Sequence, residues 1–235
     1  MSLDVDNDYK FVLIMTGENY ISLSLAPLHA GDTISFAIDE MIHQGTRSLP
    51  LLSDGQLIGI LRLEDLENLS EDYLSLGDLP PHLIKPGFIY VDSHELDIIA
   101  SFGIYKCDVL PVLDREKQYQ GAVLAYDVLT TFGQSLSFKM PGGILVLEIP
   151  SSDYQLSQIA QIAESGEARI LSLYLNEIPD SQRILITLKL NRENLDGIIQ
   201  TFERYNYEVK AIFGESQSII DLKHRYELLM KWINI

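Results

Sequence analysis

The feature that most constrains this chain is an internal repeat. Residues 32–66 read DTISFAIDEMIHQGTRSLPLLSDGQLIGILRLEDL and residues 92–128 read DSHELDIIASFGIYKCDVLPVLDREKQYQGAVLAYDV, and the two align almost without gaps. Gly59 and Gly121 stand at the same separation as Asp65 and Asp127, while Pro50 and Pro111 stand one residue closer. One supersecondary unit is used twice, so the fold must bury the apolar faces of two similar copies.

The pattern predicts helix, strand, strand, helix in each copy. Asp32 and Asp92 are expected as helix N-caps, with Glu95 three residues on completing a capping box in the second copy. Ile34, Ala37, Ile38, Met41 and Ile42 recur at helical spacing and Gly45 supplies a stop. Strands at 49–52 and 57–61 flank an Asp54-Gly55 hairpin turn; their counterparts at 109–113 and 119–124 flank a longer polar turn at 114–118. Asp65 and Asp127 fall where the closing helix starts. An aspartate there is expected as an N-cap, and its carboxylate can also accept both hydroxyls of a ribose.

After the MPGG stretch at 140–143 the pattern changes. Strands are expected at 143–149, 169–175, 184–190 and 209–213 and helices at 156–163 and 194–205, giving the order βαββαβ of a ferredoxin-like α+β domain. Residues 216–233 read as an amphipathic helix carrying Ile219, Ile220, Leu222, Tyr226, Leu229, Met230 and Trp232. The expected layout is an N-terminal segment at 1–19, a repeat domain at 20–138 with copies near 20–78 and 79–138, a second domain at 139–215 and a C-terminal helix at 216–235.

The net charge of −17, from 34 acidic and 17 basic residues, repels phosphate backbones and anionic lipid, so neither a nucleic-acid nor a membrane partner is expected. The chain has one cysteine, Cys107, and no apolar run near the ~20 residues of a membrane span, which points to the cytoplasm. Its five histidines are scattered without the spacing of a metal site, and no phosphate loop or nucleophile elbow is present. No catalytic residue, metal or cofactor is expected, and the chain reads as a non-enzyme.

The apolar-Pro-apolar strand, the hairpin and the Gly-x-x-x-x-x-Asp ending, present twice, resemble a tandem pair of CBS domains over residues 20–135. The lead-in ISLSLAPL at 21–28 is similar to that of acetoin-utilisation-type CBS regulatory proteins, and residues 142–214 resemble an ACT domain. The resemblance implies an α/β CBS pair that senses an adenine nucleotide or related metabolite: AMP, ADP, ATP or S-adenosylmethionine. In that family a Ser or Thr three residues before the Asp helps to hold phosphate; here the position is Arg62 in the first copy and Leu124 in the second. A guanidinium can bind phosphate through several fixed donors and leucine offers none. The site is therefore expected in the first copy, with Asp65 on ribose hydroxyls, Arg62 and Arg47 near phosphate and Gly59 allowing close backbone approach. Lys106 is the weaker analogue in the second copy, whose Asp127 site is expected to be weaker or empty. The ACT family's Asp-x-x-Gly turn is missing from PSSDYQL at 150–156, where Tyr154 takes the glycine position, so a structural role is expected there. A homodimer is expected from the two families and the apolar C-terminal helix. The competing reading is a ligand-free adaptor that regulates or scaffolds another protein.

Overall fold

Thr33, not Asp32, starts the first helix. In the computed structural model, which describes residues 14–22, 24–67, 69 and 75–214, helix α1 (Ile34–Gln44) is capped by the Thr33 hydroxyl, which accepts from Phe36 N at 3.2 Å. Asp32 instead closes a local turn, its carboxylate accepting His29 N at 2.7 Å, and that local bond competes with capping. Helix α3 (Glu95–Tyr105) is capped by His94 Nδ1, which accepts from Leu96 N. Asp92 is paired with Arg115 at 2.5 Å, and Glu95 accepts the Tyr20 hydroxyl at 3.0 Å. With His94 at the cap position, neither caps the helix as the spacing suggested. Both helices end in the left-handed region, at Gly45 (φ 69) and at its repeat counterpart Lys106 (φ 51).

Beyond each helix comes a hairpin: β3 (Ser48–Ser53) with β4 (Gln56–Arg62), and β6 (Val109–Leu113) with β7 (Tyr119–Leu124). The short helices α2 (Leu63–Leu66) and α4 (Ala125–Gly133) follow directly. Leu63 N is held by Arg47 O at 2.8 Å and Ala125 N by Asp108 O at 2.9 Å, so in both copies the helix starts two residues ahead of the aspartate. Asp65 and Asp127 are thus third helical residues and not N-caps.

The strands leading into the two copies are exchanged. β1 (Ile21–Ser22), ahead of the first copy, pairs with β7 of the second, and Lys85, ahead of the second copy, bridges Ile60 of β4 in the first. β2 (Leu28–His29) and β5 (Ile89–Tyr90) run parallel to β3 and β6. The sheet orders are β2-β3-β4 and β1-β7-β6-β5. The glycines shared by the repeats sit at these crossings: a Cβ on Gly59 would meet Ile84 Cγ2 at 2.6 Å and Lys85 O at 2.7 Å, and one on Gly121 would meet Ile21 Cγ2 at 2.6 Å. Each copy also lends core to the other, since Val109 and Ala122 pack with Leu28, Met41, Leu49 and Leu61, while Tyr20 and Ile60 pack with Ile98, Leu110 and Val123.

The chain divides into two compact units, Met1–Gly133 and Gln134–Ile235. The second contains α5 (Leu136–Lys139), β8 (Ile144–Pro150), α6 (Leu156–Ser165), β9 (Ile170–Glu177), β10 (Arg183–Leu190), α7 (Asp196–Arg204) and β11 (Glu208–Phe213). From β8 onward the order is βαββαβ, in an antiparallel sheet ordered β11-β8-β10-β9. Alternate residues of β8 and β10 (Leu145, Leu147, Ile186, Leu188) pack against Ile159, Ile162, Ile198 and Phe202 of the helices. On β8, Glu148 pairs with Arg183 and, at 2.8 Å, with Lys210. The apolar pattern at 216–233 lies outside the described residues.

Candidate functional site

The two copies meet where their helix C-termini turn into β3 and β6. Arg47 and Asp108 occupy equivalent positions, one residue beyond Thr46 and Cys107, because their backbones make the same bond to Leu63 and Ala125. Their side chains differ in charge, and that difference shapes the site. Asp108 reaches across to the first copy, accepting Arg47 N at 2.7 Å through one oxygen and the Ser48 hydroxyl through the other. Ser48 is buried, and its oxygen accepts from Asp108 N and Val109 N at 3.2 Å each. The clasp ties the two copies together through paired groups, as burial requires.

Beside the clasp lies a cavity of about 230 Å3 with Arg47, Arg62 and Lys106 on its walls, together with Glu64, Cys107 and Asp108. Three cations face two carboxylates, and both oxygens of Asp108 are already engaged by Arg47 N and Ser48. In a chain of net charge −17 this is a local positive spot. It suits an anion with several acceptor oxygens, which guanidinium groups bind through their fork of donors. Arg47 and Lys106 are exposed and free to turn toward a ligand, whereas Arg62 is half-buried.

Arg62 is also the link to Asp65. Its Nε lies 3.2 Å from Asp65 Oδ2 and its Nη1 lies 3.2 Å from Glu64 Oε1; Lys85 Nζ approaches the same Asp65 oxygen at 3.7 Å. Asp65 is therefore held in a network of opposite charges. Of the residues singled out by sequence, Arg47, Arg62 and Lys106 line the cavity together, Lys106 from a position equivalent to Gly45 and not to Arg47, and Asp65 reaches it only through Arg62. Gly59 makes its close approach to the chain at Ile84 and Lys85. Ser48, Asp108 and Lys85 went unremarked in the sequence; the signal for the first two was their place directly after the helix stops, and for Lys85 its place in the segment ahead of the second copy.

Asp127 belongs to a separate cleft of about 330 Å3, with Asn19, Ser22, Thr130 and Thr131 among its walls and no Lys or Arg on them. Leu124 stands where Arg62 stands in the first copy, so this cleft offers hydroxyls and one carboxylate but nothing to neutralise a phosphate. Cys107 also lines the first cavity. Burial, and then the charge of Asp108, push its thiol up to about 12, so it stays protonated at neutral pH. Among the described residues there is no group of three or more His, Cys, Asp or Glu that could hold a metal ion, and no helix long and apolar enough to cross a membrane.

The CBS domain family matches residues 19–71. No curated protein matches the chain. Among solved structures, a CBS domain pair/ACT domain protein from Thermotoga maritima is 20% identical, covering 52% of this chain and 99% of its own at a TM-score of 0.46. The CBS domains of a transcriptional regulator from Streptococcus pneumoniae are 16% identical, covering 50% and 98% at a TM-score of 0.43. CBSX2 in complex with AMP is 19% identical, covering 51% and 96% at a TM-score of 0.43. By sequence, then, the stretch from the lead-in strand through the first closing helix is similar to a CBS domain, and the second copy repeats its order of elements.

Proposed function

We propose that the chain is a non-catalytic regulatory protein whose repeat unit binds a phosphate-bearing adenine nucleotide. The observation that carries this reading is the convergence of Arg47, Arg62 and Lys106, drawn from both copies, on one cavity of an otherwise strongly acidic chain. The phosphate follows from those cations and the adenine from the resemblance to CBS pairs. At about 230 Å3 the cavity is smaller than the 300–1,000 Å3 usual for a whole small-molecule ligand. It has room for the phosphate end, and the rest of the nucleotide lies toward Asp65.

The βαββαβ order and the strand order β11-β8-β10-β9 support a ferredoxin-like, ACT-like second domain. With Tyr154 in the glycine position of the ACT ligand turn, that domain serves assembly, and a cytoplasmic homodimer is the form in which the protein acts. One observation favours the adaptor reading instead: Leu96, Ile104, Tyr126 and Leu129 of α3 and α4 are exposed apolar side chains of a kind that docks a partner. Thermal unfolding of the full chain with AMP, ADP, ATP, S-adenosylmethionine and the amino acids separates the two. Selective binding to the folded state at a hundred times Kd stabilises it by about 2.7 kcal/mol, so a phosphate-bearing nucleotide should raise the melting temperature. No shift with any of the three phosphate-bearing nucleotides would remove the sensor reading and leave the adaptor.

A further inference from the structure

The carboxylate suited to a ribose diol is already engaged. Arg62 Nε and Lys85 Nζ converge on a single oxygen of Asp65, at 3.2 and 3.7 Å. The three side chains are 23%, 28% and 21% exposed, so water shields the pairs only in part. A side-on grip on a diol places one hydroxyl on each carboxylate oxygen. The guanidinium on Oδ2 competes with that grip, and of these three side chains only Arg62 also lines the cationic cavity.

We infer that Arg62 is a specificity lock that makes the first cleft select phosphorylated over unphosphorylated nucleosides. The inference rests on the nucleotide reading above and follows from what each ligand offers in exchange. A nucleoside monophosphate gives Arg62 a phosphate in place of a carboxylate and gives Asp65 two hydroxyls in place of a guanidinium, so no charge is left without a partner. Arg47 and Lys106, on the same cavity, add to the pull on the phosphate. An unphosphorylated nucleoside offers only the hydroxyls. To bind, it must break a charge-assisted contact and leave the guanidinium with Glu64 and water, trading a stronger bond for weaker neutral ones. The residue that attracts phosphate thus also excludes ligands that lack it.

This arrangement predicts opposite effects of one substitution on two ligands. In calorimetry of the full chain, wild type should bind AMP at least about a hundredfold more tightly than adenosine, the worth of two or three charged contacts. Arg62→Gln should weaken AMP about tenfold or more and tighten adenosine about tenfold, since Asp65 is no longer held by the guanidinium. Arg62→Leu should do the same, and because leucine already stands at the equivalent position 124 it guards against a glutamine variant that misfolds. Lys85→Met should keep the preference for AMP, because Arg62 still holds Asp65. If AMP binds wild type while adenosine is unchanged or weakened in both Arg62 variants, the lock is wrong and the nucleotide reading stands. If none of AMP, ADP and ATP binds wild type, both fall.

Discussion

Replacing Ser48 by alanine tests whether the two copies are fastened by the Asp108 clasp. Ser48 is 1% exposed and makes three bonds at once, donating to Asp108 and accepting from Asp108 N and Val109 N at 3.2 Å. Alanine removes the hydroxyl and leaves two backbone N–H groups and one carboxylate oxygen short of a partner. At roughly 1–3 kcal/mol for each buried group left unpaired, less what water recovers at the half-exposed carboxylate, the expected loss is about 2–4 kcal/mol. That is a large part of the ~5–15 kcal/mol that a domain usually has. Asp108→Asn keeps the shape and one acceptor, and should cost about 1–2 kcal/mol. Because both residues share one interaction, the double variant should be less destabilised than the sum, with a coupling of about 1–2 kcal/mol. Urea unfolding followed by far-UV circular dichroism gives these values; with two units, the transition that moves belongs to the repeat unit. A Ser48→Ala variant within about 0.5 kcal/mol of wild type, together with zero coupling, would refute the clasp.

Three further outcomes are expected. Lys210, then Arg183, hold the carboxyl of Glu148 below its ordinary range. Its contribution is thus present above that range and lost as pH falls toward the depressed value, so the melting-temperature gap between wild type and Glu148→Gln should be open at pH 7 and close on acidification; a gap that does not change with pH contradicts the pairing. The Tyr119 hydroxyl is buried with no partner among the described residues, and burial pushes it up to about 12. Tyr119→Phe should raise stability by up to about 1 kcal/mol in thermal melts, and a loss would reveal a bond to that hydroxyl. Cys107, with its thiol near 12, should react with an aromatic disulfide at pH 8 at least about tenfold more slowly than free cysteine and at the free rate in denaturant; fast reaction of the folded chain would show a thiolate.

Much of the fold was legible because its signals are local. Val109–Leu113 and Tyr119–Leu124 form strands over the stretches their apolar runs marked, and Gly45 ends the first helix where a stop was expected. The caps were not legible. Asp32 and Asp92 are good capping residues, but each bonds elsewhere, and nothing in a propensity ranks a cap against a turn or an arginine 23 residues away. Arg47 and Arg62, marked because their chemistry departs from the repeat, line one cavity. Asp65 was read as open to a ligand because Lys85 lies far along the chain, and only the strand exchange brings it alongside Ile60. Glycine at 59 and 121 was visible as a regularity, but its cause is the same exchange and has no local trace.

That exchange also bears on what duplication makes possible. A single copy sends its lead-in strand to another copy's sheet, so two copies are needed to close the fold whether or not a peptide joins them. Were they separate and identical, the axis between them would set a residue lying on it against its own copy, carboxylate on carboxylate or arginine on arginine. Joined in one chain, the halves can diverge: Asp108 is the counterpart of Arg47, Lys106 of Gly45, and Leu124 of Arg62. Covalent linkage thus releases the axis from self-complementarity, and a position where a symmetric pair would have to repel itself can hold a fastening on one side and three gathered cations on the other.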